Sequence, residues 1–411
     1  MKNLSIYLVG GSIRDRLLCI LVYDRDWVIV GSNYKKVFKL GFSLVGKDFP
    51  VFLHPYTREE YALARKDFKV GLGYCCFSFD ISDIITLLDD LYRRDLTINS
   101  IALNSKGEFC DPYNGLIDLK SKILTHVSDS FIEDPLRILR VARFYSKLNV
   151  FGFVLSIKTI FLIRKMLINE SVLNLSSERV WQEILKVLKI DKFFNFVSAL
   201  IKFNVFITLF SELFLFNFFS RQYKYYYNSD LFLKYNSLLL FSFFYNKLCL
   251  LFSFIFFLLV KNILIFNCFN FNFFYLNIFF ILEKWCLHYK ISIKYKKKLY
   301  FFIEFFCFYN KFLNIESNKF LFFLKKINFL KDKLMFIDYL LICEFFYKNI
   351  NKSNSIYFYK YFFIDLVNIF IDMKFDFYLS NLSNLEIENI IRIKYLFFID
   401  IIKKKYYDIF F

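Results

Sequence analysis

Two carboxylates separated by a single residue, Asp24 and Asp26, follow a short segment that carries adjacent glycines, Gly10 and Gly11, and an arginine at position 14. Alternate residues of a strand point to the same side, so a strand running through DRDWVIV aims both carboxylates at one place. Two like charges held together favour a cation between them. With oxygen-only donors that cation is a hard one such as Mg²⁺, and a two-metal site activates an attacking hydroxyl while steadying a leaving pyrophosphate. Taken alone, the pair also fits an acidic strand edge before a buried run. Upstream, two glycines after a strand permit a tight turn and a close backbone approach, and a following helix points free N–H groups at any anion there. Arg14 in that helix either adds a charge-assisted contact to phosphate or is half of an exposed Arg-Asp pair. Together these residues are expected to hold a nucleoside triphosphate and its metal ions.

A second set lies in EDPLRILRVARF, where Asp134, Arg137, Arg140 and Arg143 recur every three positions and trace a slowly drifting stripe along one helix face. An Asp acceptor beside an Arg fork pairs with the Watson-Crick edges of cytosine and adenine, whose exocyclic amines are absent from the matching positions of uracil and guanine. The alternative is equally open: Asp134 before Pro135 is a good helix cap, and the arginines are a solvated face. Glu60 is either a third carboxylate near the metals, a general base, or a surface strand charge.

GGSIRD, DRDW, HPYTREEYALAR (54–65), RRDLTINSIA (93–102), DPYNGLIDL (111–119) and EDPLRILRVARF (133–144) together resemble the bacterial class II tRNA nucleotidyltransferases. These are the C-C-A-adding enzymes of the polymerase beta superfamily, and the likeness is strongest to their proteobacterial form. It covers roughly residues 1 to 190. It implies that Gly11, Arg14 and Arg94 contact the incoming nucleotide, that Asp24 and Asp26 bind Mg²⁺ and are catalytic, and that Asp134 and Arg137 read the base as a protein template. Arg140 and Arg143 follow as further nucleotide contacts. The implied substrates are tRNA, CTP and ATP, the implied setting cytoplasmic; a bacterial poly(A) polymerase sharing the same head and neck is the nearest alternative. A non-catalytic RNA-binding or membrane-associated remnant is the alternative of another kind. Proteobacterial relatives usually add an HD phosphohydrolase domain, but His54, His126 and His288 are followed by Pro, Val and Tyr, so that activity is expected to be missing.

The elements that must position these residues divide the 411-residue chain unevenly. All ten Gly and all four Pro fall at or before Gly152. Turns therefore punctuate the front, which reads as α/β, and the remainder reads as helices joined by polar turns. The expected organisation is an α/β nucleotidyltransferase head with a mixed sheet over 1–133, an all-α neck over 134–210, and an all-α, low-complexity body over 211–411 that contacts tRNA. Strands are expected at 6–9, 27–30, 51–54, 61–64 and around 98–103. Helices are expected after Gly11, at 34–40 and 117–123, from Asp134, and at 178–188, with Val180, Trp181, Ile184, Leu185 and Leu188 facing inward. KDFKVGLGY (66–74) reads as a flexible loop.

Lys and Arg number 55 against 37 Asp and Glu, a balance that favours a polyanionic partner or reflects a general drift toward Phe, Tyr, Lys, Ile and Asn. Basic and aromatic residues interleave at 221–227 and 294–300, which would suit an RNA backbone and its bases. The apolar run 248–260 is thirteen residues long, short of the ~20 needed to span a bilayer, so buried helices are expected and no stable membrane association. Nine Cys without a CxxC pair read as reduced thiols.

Overall fold

The computed structural model describes residues 5–22, 24–45, 51–69, 77–168, 175–190, 192–209, 271–293, 295–297, 299–301, 315–326, 362, 365–366, 368–369 and 384–410. The chain forms two compact units, residues 1–211 and 212–411.

The first unit begins with β1 (Ser5–Val9), α1 (Gly11–Leu17), β2 (Asp26–Val30), α2 (Tyr34–Lys39), β3 (Ser43–Val45), β4 (Val51–Leu53) and β5 (Glu60–Leu63). After them come β6 (Lys66–Lys69), β7 (Phe77–Asp80), α3 (Leu87–Tyr92), β8 (Ala102–Leu103), β9 (Phe109–Cys110) and α4 (Gly115–Ser121). Seven strands form one mixed sheet in the order β3-β4-β5-β2-β1-β8-β9. β2 runs parallel to β5 and antiparallel to β1. Period-2 alternation makes β2 a two-sided strand: Val28 packs with Val9, Ala64, Leu91 and Ala102 on one face, and Ile29 with Val37, Phe42, Phe52 and Leu63 on the other. Burying each such side chain contributes about 1.5–3 kcal/mol, and Val28 and Ile29 together fix the register that carries Asp26.

Two expectations shift here. Residues 98–103 are not one strand: Thr97–Asn99 form a 3-10 turn and only Ala102–Leu103 pair. The turn wins because its polar side chains find local partners: Asn99 Nδ2 donates to Asp95 and Ser100 Oγ to Leu96 O. The helix expected at 117–123 starts and stops two residues earlier, closed by Lys122 in a left-handed conformation. In the loop expected at 66–74, Lys66–Lys69 pair with Phe77–Asp80 as a separate hairpin, while residues 70–74 lie outside the described residues.

Gly115 opens α4 under close constraint. Asp111 accepts the N–H groups of Gly115 (2.7 Å) and Leu116 (2.8 Å), and a Cβ on Gly115 would lie 2.2 Å from the Thr97 carbonyl oxygen. Gly115→Ala is therefore expected to destabilise the first unit by about 1–3 kcal/mol or more, since backbone has to move to admit the methyl. Thermal unfolding checks it, and a wild-type midpoint would contradict the close packing.

Beyond α4 come β10 (Ile123–Leu124), α5 (Leu136–Leu148), β11 (Val154–Leu155), α6 (Ile157–Ile168), α7 (Ser177–Lys189), α8 (Phe193–Lys202) and the single turn α9 (Phe206–Leu209). α5 packs on α7 and α8. On α7 the buried face holds Val180, Trp181, Ile184, Val187 and Leu188; Leu185, expected inside, is only half-buried.

In the second unit the described elements are helical: α10 (Phe271–His288), α11 (Ser317–Lys326) and α12 (Asn384–Phe410). Trp285, Tyr289, Phe320, Leu324, Ile399 and Ile402 are buried. Among the described residues no helix is long and apolar enough to cross a membrane; the run 248–260 and the segment 221–227 lie outside them, as do residues 294 and 298 of 294–300.

Candidate active site

Gly10, between β1 and α1, takes φ +76° and ψ −139°, a backbone conformation open to glycine. A Cβ there would lie 3.1 Å from Arg94 Nη1 and 3.9 Å from Asp26 Oδ2. The bare turn thus lets Arg94 and Asp26 close in on the same backbone position. Asp26 is the first residue of β2, and Asp24 lies two residues before it in irregular chain; both are open to solvent. The neighbouring protein still crowds Asp26: desolvation raises its pKa above the ordinary carboxylate range, Asp24 adds to the rise, and the Arg94 and Arg140 charges oppose it. Glu60, the first residue of β5, is paired in register with Asp26. Three carboxylate-bearing residues thereby lie at one end of two neighbouring strands, although among the described residues no three acidic, His or Cys side chains stand close enough together to hold a metal ion; the oxygen donors of Asp24 and Asp26 are of the type a hard divalent cation takes.

Arg94 is held from behind. The buried Asp90 accepts from its Nη2 at 2.9 Å and also binds Arg93. Burial alone would raise the Asp90 pKa, but the two guanidinium groups bring it far below the usual range, so the carboxylate is a fixed negative charge.

Arg14 is not an exposed surface cation. It is 3% exposed, with Nη1 donating to Asn99 Oδ1 (2.6 Å), Nε and Nη2 donating to Asp15, and the guanidinium 5.0 Å from the Phe144 ring centre. Asp15 also accepts from Lys147 of α5 at 2.8 Å. Phe144 receives two more guanidinium groups, Arg143 at 4.4 Å and Arg140 at 5.8 Å, and each such contact with a ring face is worth about 0.5–2 kcal/mol.

The stripe on α5 is no solvated face. Asp134 Oδ1 accepts the Leu136 N–H at 3.1 Å, as a cap would, and the same carboxylate takes both terminal nitrogens of Arg179, at 3.1 and 2.8 Å. Arg137 is 7% exposed and donates to the Ser130 carbonyl at 2.6 Å. Arg140 donates to Asp95 and Arg143 to Glu183, each at 2.7 Å. Asp95 is buried and would on that ground resist ionisation, yet Arg140 and Asn99 pull its pKa far below normal. Asp95 in turn pushes Arg140 up, whereas desolvation lowers Arg143.

Several of these partners had no assigned role in the sequence. Asp95, Asn99 and Phe144 lie within the family-like motifs without an assigned role, while Asp90, Arg179 and Glu183 lie outside them; Arg179 and Glu183 stand four apart on α7, the spacing that places two side chains on one helical face.

Residues 6–125 match the family described as the poly A polymerase head domain. The chain is 52% identical to a multifunctional CCA protein of Vibrio cholerae over 197 residues, 48% of this chain and 49% of that one. It is 50% identical to a CCA-adding enzyme of Actinobacillus succinogenes over 199 residues, 48% of this chain and 50% of that one. The chain spans about half the length of the curated relatives it matches. Among solved structures, one of a CCA-adding enzyme in an apo form aligns with TM-score 0.64 at 18% identity, over 97% of this chain and 88% of that one. The Thermotoga maritima CCA-adding enzyme complexed with tRNA aligns with TM-score 0.58 at 19% identity, over 99% and 91%. At such identities the likeness is one of fold. It accords with a mixed-sheet head followed by helices, and over about half its length the chain is similar in sequence to proteins named for CCA addition.

Proposed function

We propose that the chain completes the 3′ end of tRNA, adding C, C and A from CTP and ATP with release of pyrophosphate, in the cytoplasm and with Mg²⁺ held by Asp24 and Asp26. The observation that carries this reading is the identity of about half through head and neck with proteins named for CCA addition. The convergence of Gly10, Asp26, Arg94 and Glu60 supports it.

When bound, the metal would lower the pKa of the attacking hydroxyl and neutralise charge on the leaving pyrophosphate. The chain's own residues supply the rest. The Gly10–Gly11 turn admits the triphosphate close to the backbone, and Arg94, aimed by Asp90, meets the nucleotide. Asp134 and Arg137 read the base. A carboxylate offers about four acceptor sites, and Arg179 and the Leu136 N–H occupy three of those on Asp134. An acceptor thus stays for the exocyclic amine of cytosine or adenine, while Arg137 donates to the ring nitrogen; uracil and guanine present the opposite polarity. Arg140 and Arg143, pinned by Asp95 and Glu183, line the same helix. Gly11 and Arg14 form the floor. No template strand is needed, because the side chains themselves carry the donor and acceptor pattern.

The test is purified protein with tRNA ending at the discriminator base. Three nucleotides are expected, with CTP required before ATP and no further extension. A long adenosine tail made from ATP alone on unstructured RNA would instead assign a poly(A) polymerase.

A further inference from the structure

Glu59 has no part in the chemistry above, yet its carboxylate stands directly behind the two aspartates. β2 begins at Asp26, so alternation sets Trp27 on the side opposite Asp26. Glu59 meets that opposite side. One carboxylate oxygen lies 3.5 Å from Arg25 Nη1, and the other accepts the Trp27 indole N–H at 3.1 Å. A single carboxylate therefore grips both chain neighbours of Asp26.

The turn that delivers Glu59 is built tightly. His54 Nδ1 accepts the backbone N–H groups of Tyr56 and Thr57, Arg58 takes the left-handed conformation at φ +59°, and the Glu59 carbonyl accepts the His54 N–H at 3.0 Å. Thr57 Oγ1 donates to the Glu59 carboxylate at 3.4 Å. Trp27 lies flat on Tyr61, with ring centres 5.6 Å apart and planes 8° apart, and Tyr61 stacks on His54. The register then completes a division of labour. Glu60 faces Asp26 on the front, while Glu59 and Tyr61 hold Trp27 on the back.

We propose that Glu59 is a positioning residue that fixes the Asp24-Arg25-Asp26 segment from behind, so that the two carboxylates stay converged before a divalent cation arrives. The proposal rests on the reading of Asp24 and Asp26 as metal ligands. Its physical basis is that two like charges held close repel one another, and residues 24–25 belong to no regular element, so the Glu59 contacts to Arg25 and Trp27 resist splaying. An exposed ion pair such as Arg25–Glu59 contributes little to folding on its own; combined with the indole hydrogen bond it sets geometry. Outer partners of this kind change metal affinity by about 10–100-fold when removed.

The experiment uses the full chain with Glu59→Ala, Glu59→Gln, Arg25→Ala and the Glu59→Ala/Arg25→Ala double variant, and circular dichroism to confirm folding. Mn²⁺ alone is titrated into nucleotide-free protein and free Mn²⁺ is read by electron paramagnetic resonance. Glu59→Ala is expected to bind Mn²⁺ about tenfold more weakly. Glu59→Gln is expected to lie between it and wild type, because its amide oxygen still accepts the indole N–H. The double variant should be no weaker than Glu59→Ala, since both changes remove one interaction. In turnover, kcat should fall and recover at high Mn²⁺ while KM for CTP stays within about twofold, as expected for an outer partner of a metal ligand. Unchanged Mn²⁺ binding in Glu59→Ala, losses that add in the double variant, or a raised KM for CTP at unchanged Mn²⁺ affinity would each overturn the proposal. A wild type that binds Mn²⁺ through Asp24 and Asp26 but adds no nucleotide to tRNA defeats the functional reading, and the titration still decides the role of Glu59.

Discussion

Asp26→Ala is expected to abolish nucleotidyl transfer and leave the fold intact. A ligand that brings a catalytic metal to the reacting phosphate is worth several kcal/mol of transition-state stabilisation, which at 1.36 kcal/mol per decade is a rate loss on the order of 10³-fold or more. Stability should not follow. The side chain is open to solvent at the first position of β2, and the register is fixed further along by Val28 and Ile29. The sign of its pKa shift points the same way. A carboxyl whose folded pKa is raised binds its proton more tightly in the native state than in the unfolded one, so ionised Asp26 costs stability at neutral pH. Asp26→Asn is expected to unfold at or slightly above the wild-type temperature while being as inactive as Asp26→Ala. The measurements are labelled CMP incorporation into tRNA lacking its 3′ end and thermal unfolding of the same samples. Incorporation at the wild-type rate would sink the metal assignment.

What the sequence made legible is what depends on neighbours in the chain. The alternation in DRDWVIV, the glycine pair before a short helix and the threefold spacing along α5 are local patterns, and the structure lays out strand, turn and helix close to where those patterns place them. The partners that decide what each charged side chain does lie far off in sequence. Arg14 bonds Asn99 across 85 positions, Arg140 bonds Asp95 across 45, and Arg179 reaches Asp134 across 45. No local spacing announces those distances, so Arg14 reads equally as a phosphate contact and as half of an exposed pair although it is buried, and the α5 arginines read as well suited to solvent as to a cleft. Their carboxylate partners sit in plain view in RRDLTINS and ERVWQEI, but only the fold pairs them.

Short elements were lost for a related reason. β9, β10 and β11 have two residues each, too few for a period to register, and they exist because a neighbouring strand offers hydrogen bonds. In the second unit the difficulty is composition. Phe, Tyr, Ile and Lys dominate there, so apolar residues lie on every side of a helical projection and no face stands out. The described helices show how such a sequence still selects an interior: Trp285 and Tyr289 are buried one turn apart, and polar ties such as Lys405 to Asp365 (2.9 Å) and Arg392 to Asn318 (3.1 Å) mark the outside. The burial is deep enough to push the Cys286 thiol up to about 12, which leaves it unreactive.

Asp95→Ala is expected to produce the largest loss of stability of any single change near the site, and with it a loss of base selection. The Asp95 carboxylate is buried and satisfied on every side: Oδ1 accepts from the Leu96 N–H and Asn99 Nδ2, each at 2.9 Å, and Oδ2 accepts from Arg140. Removing one partner of a buried pair strands the other charge, at about 3–5 kcal/mol. For a unit of this size that corresponds to a fall of roughly 10 °C in midpoint. Two side chains proposed to contact the nucleotide lose their anchors together. Arg140 is released directly, and Arg14 indirectly, because the Asn99 that accepts from it is itself held by Asp95. Discrimination of CTP from UTP should decline in the same variant, while Asp95→Asn, which keeps the shape and an acceptor oxygen, should lie between it and wild type. The acid limb gives an independent reading. Asp90 and Asp95 both have folded pKa values depressed far below the carboxylate norm, so their contribution is full above the unfolded value near ~4 and is lost as pH falls from there toward the folded values. Urea unfolding from pH 7 down to pH 2 should therefore show a shallower decline below pH ~4 in Asp95→Asn than in wild type. A variant with the wild-type midpoint and an unchanged acid limb would mean that Arg140 finds its counter-charge elsewhere, and that α5 is held against the head by other contacts.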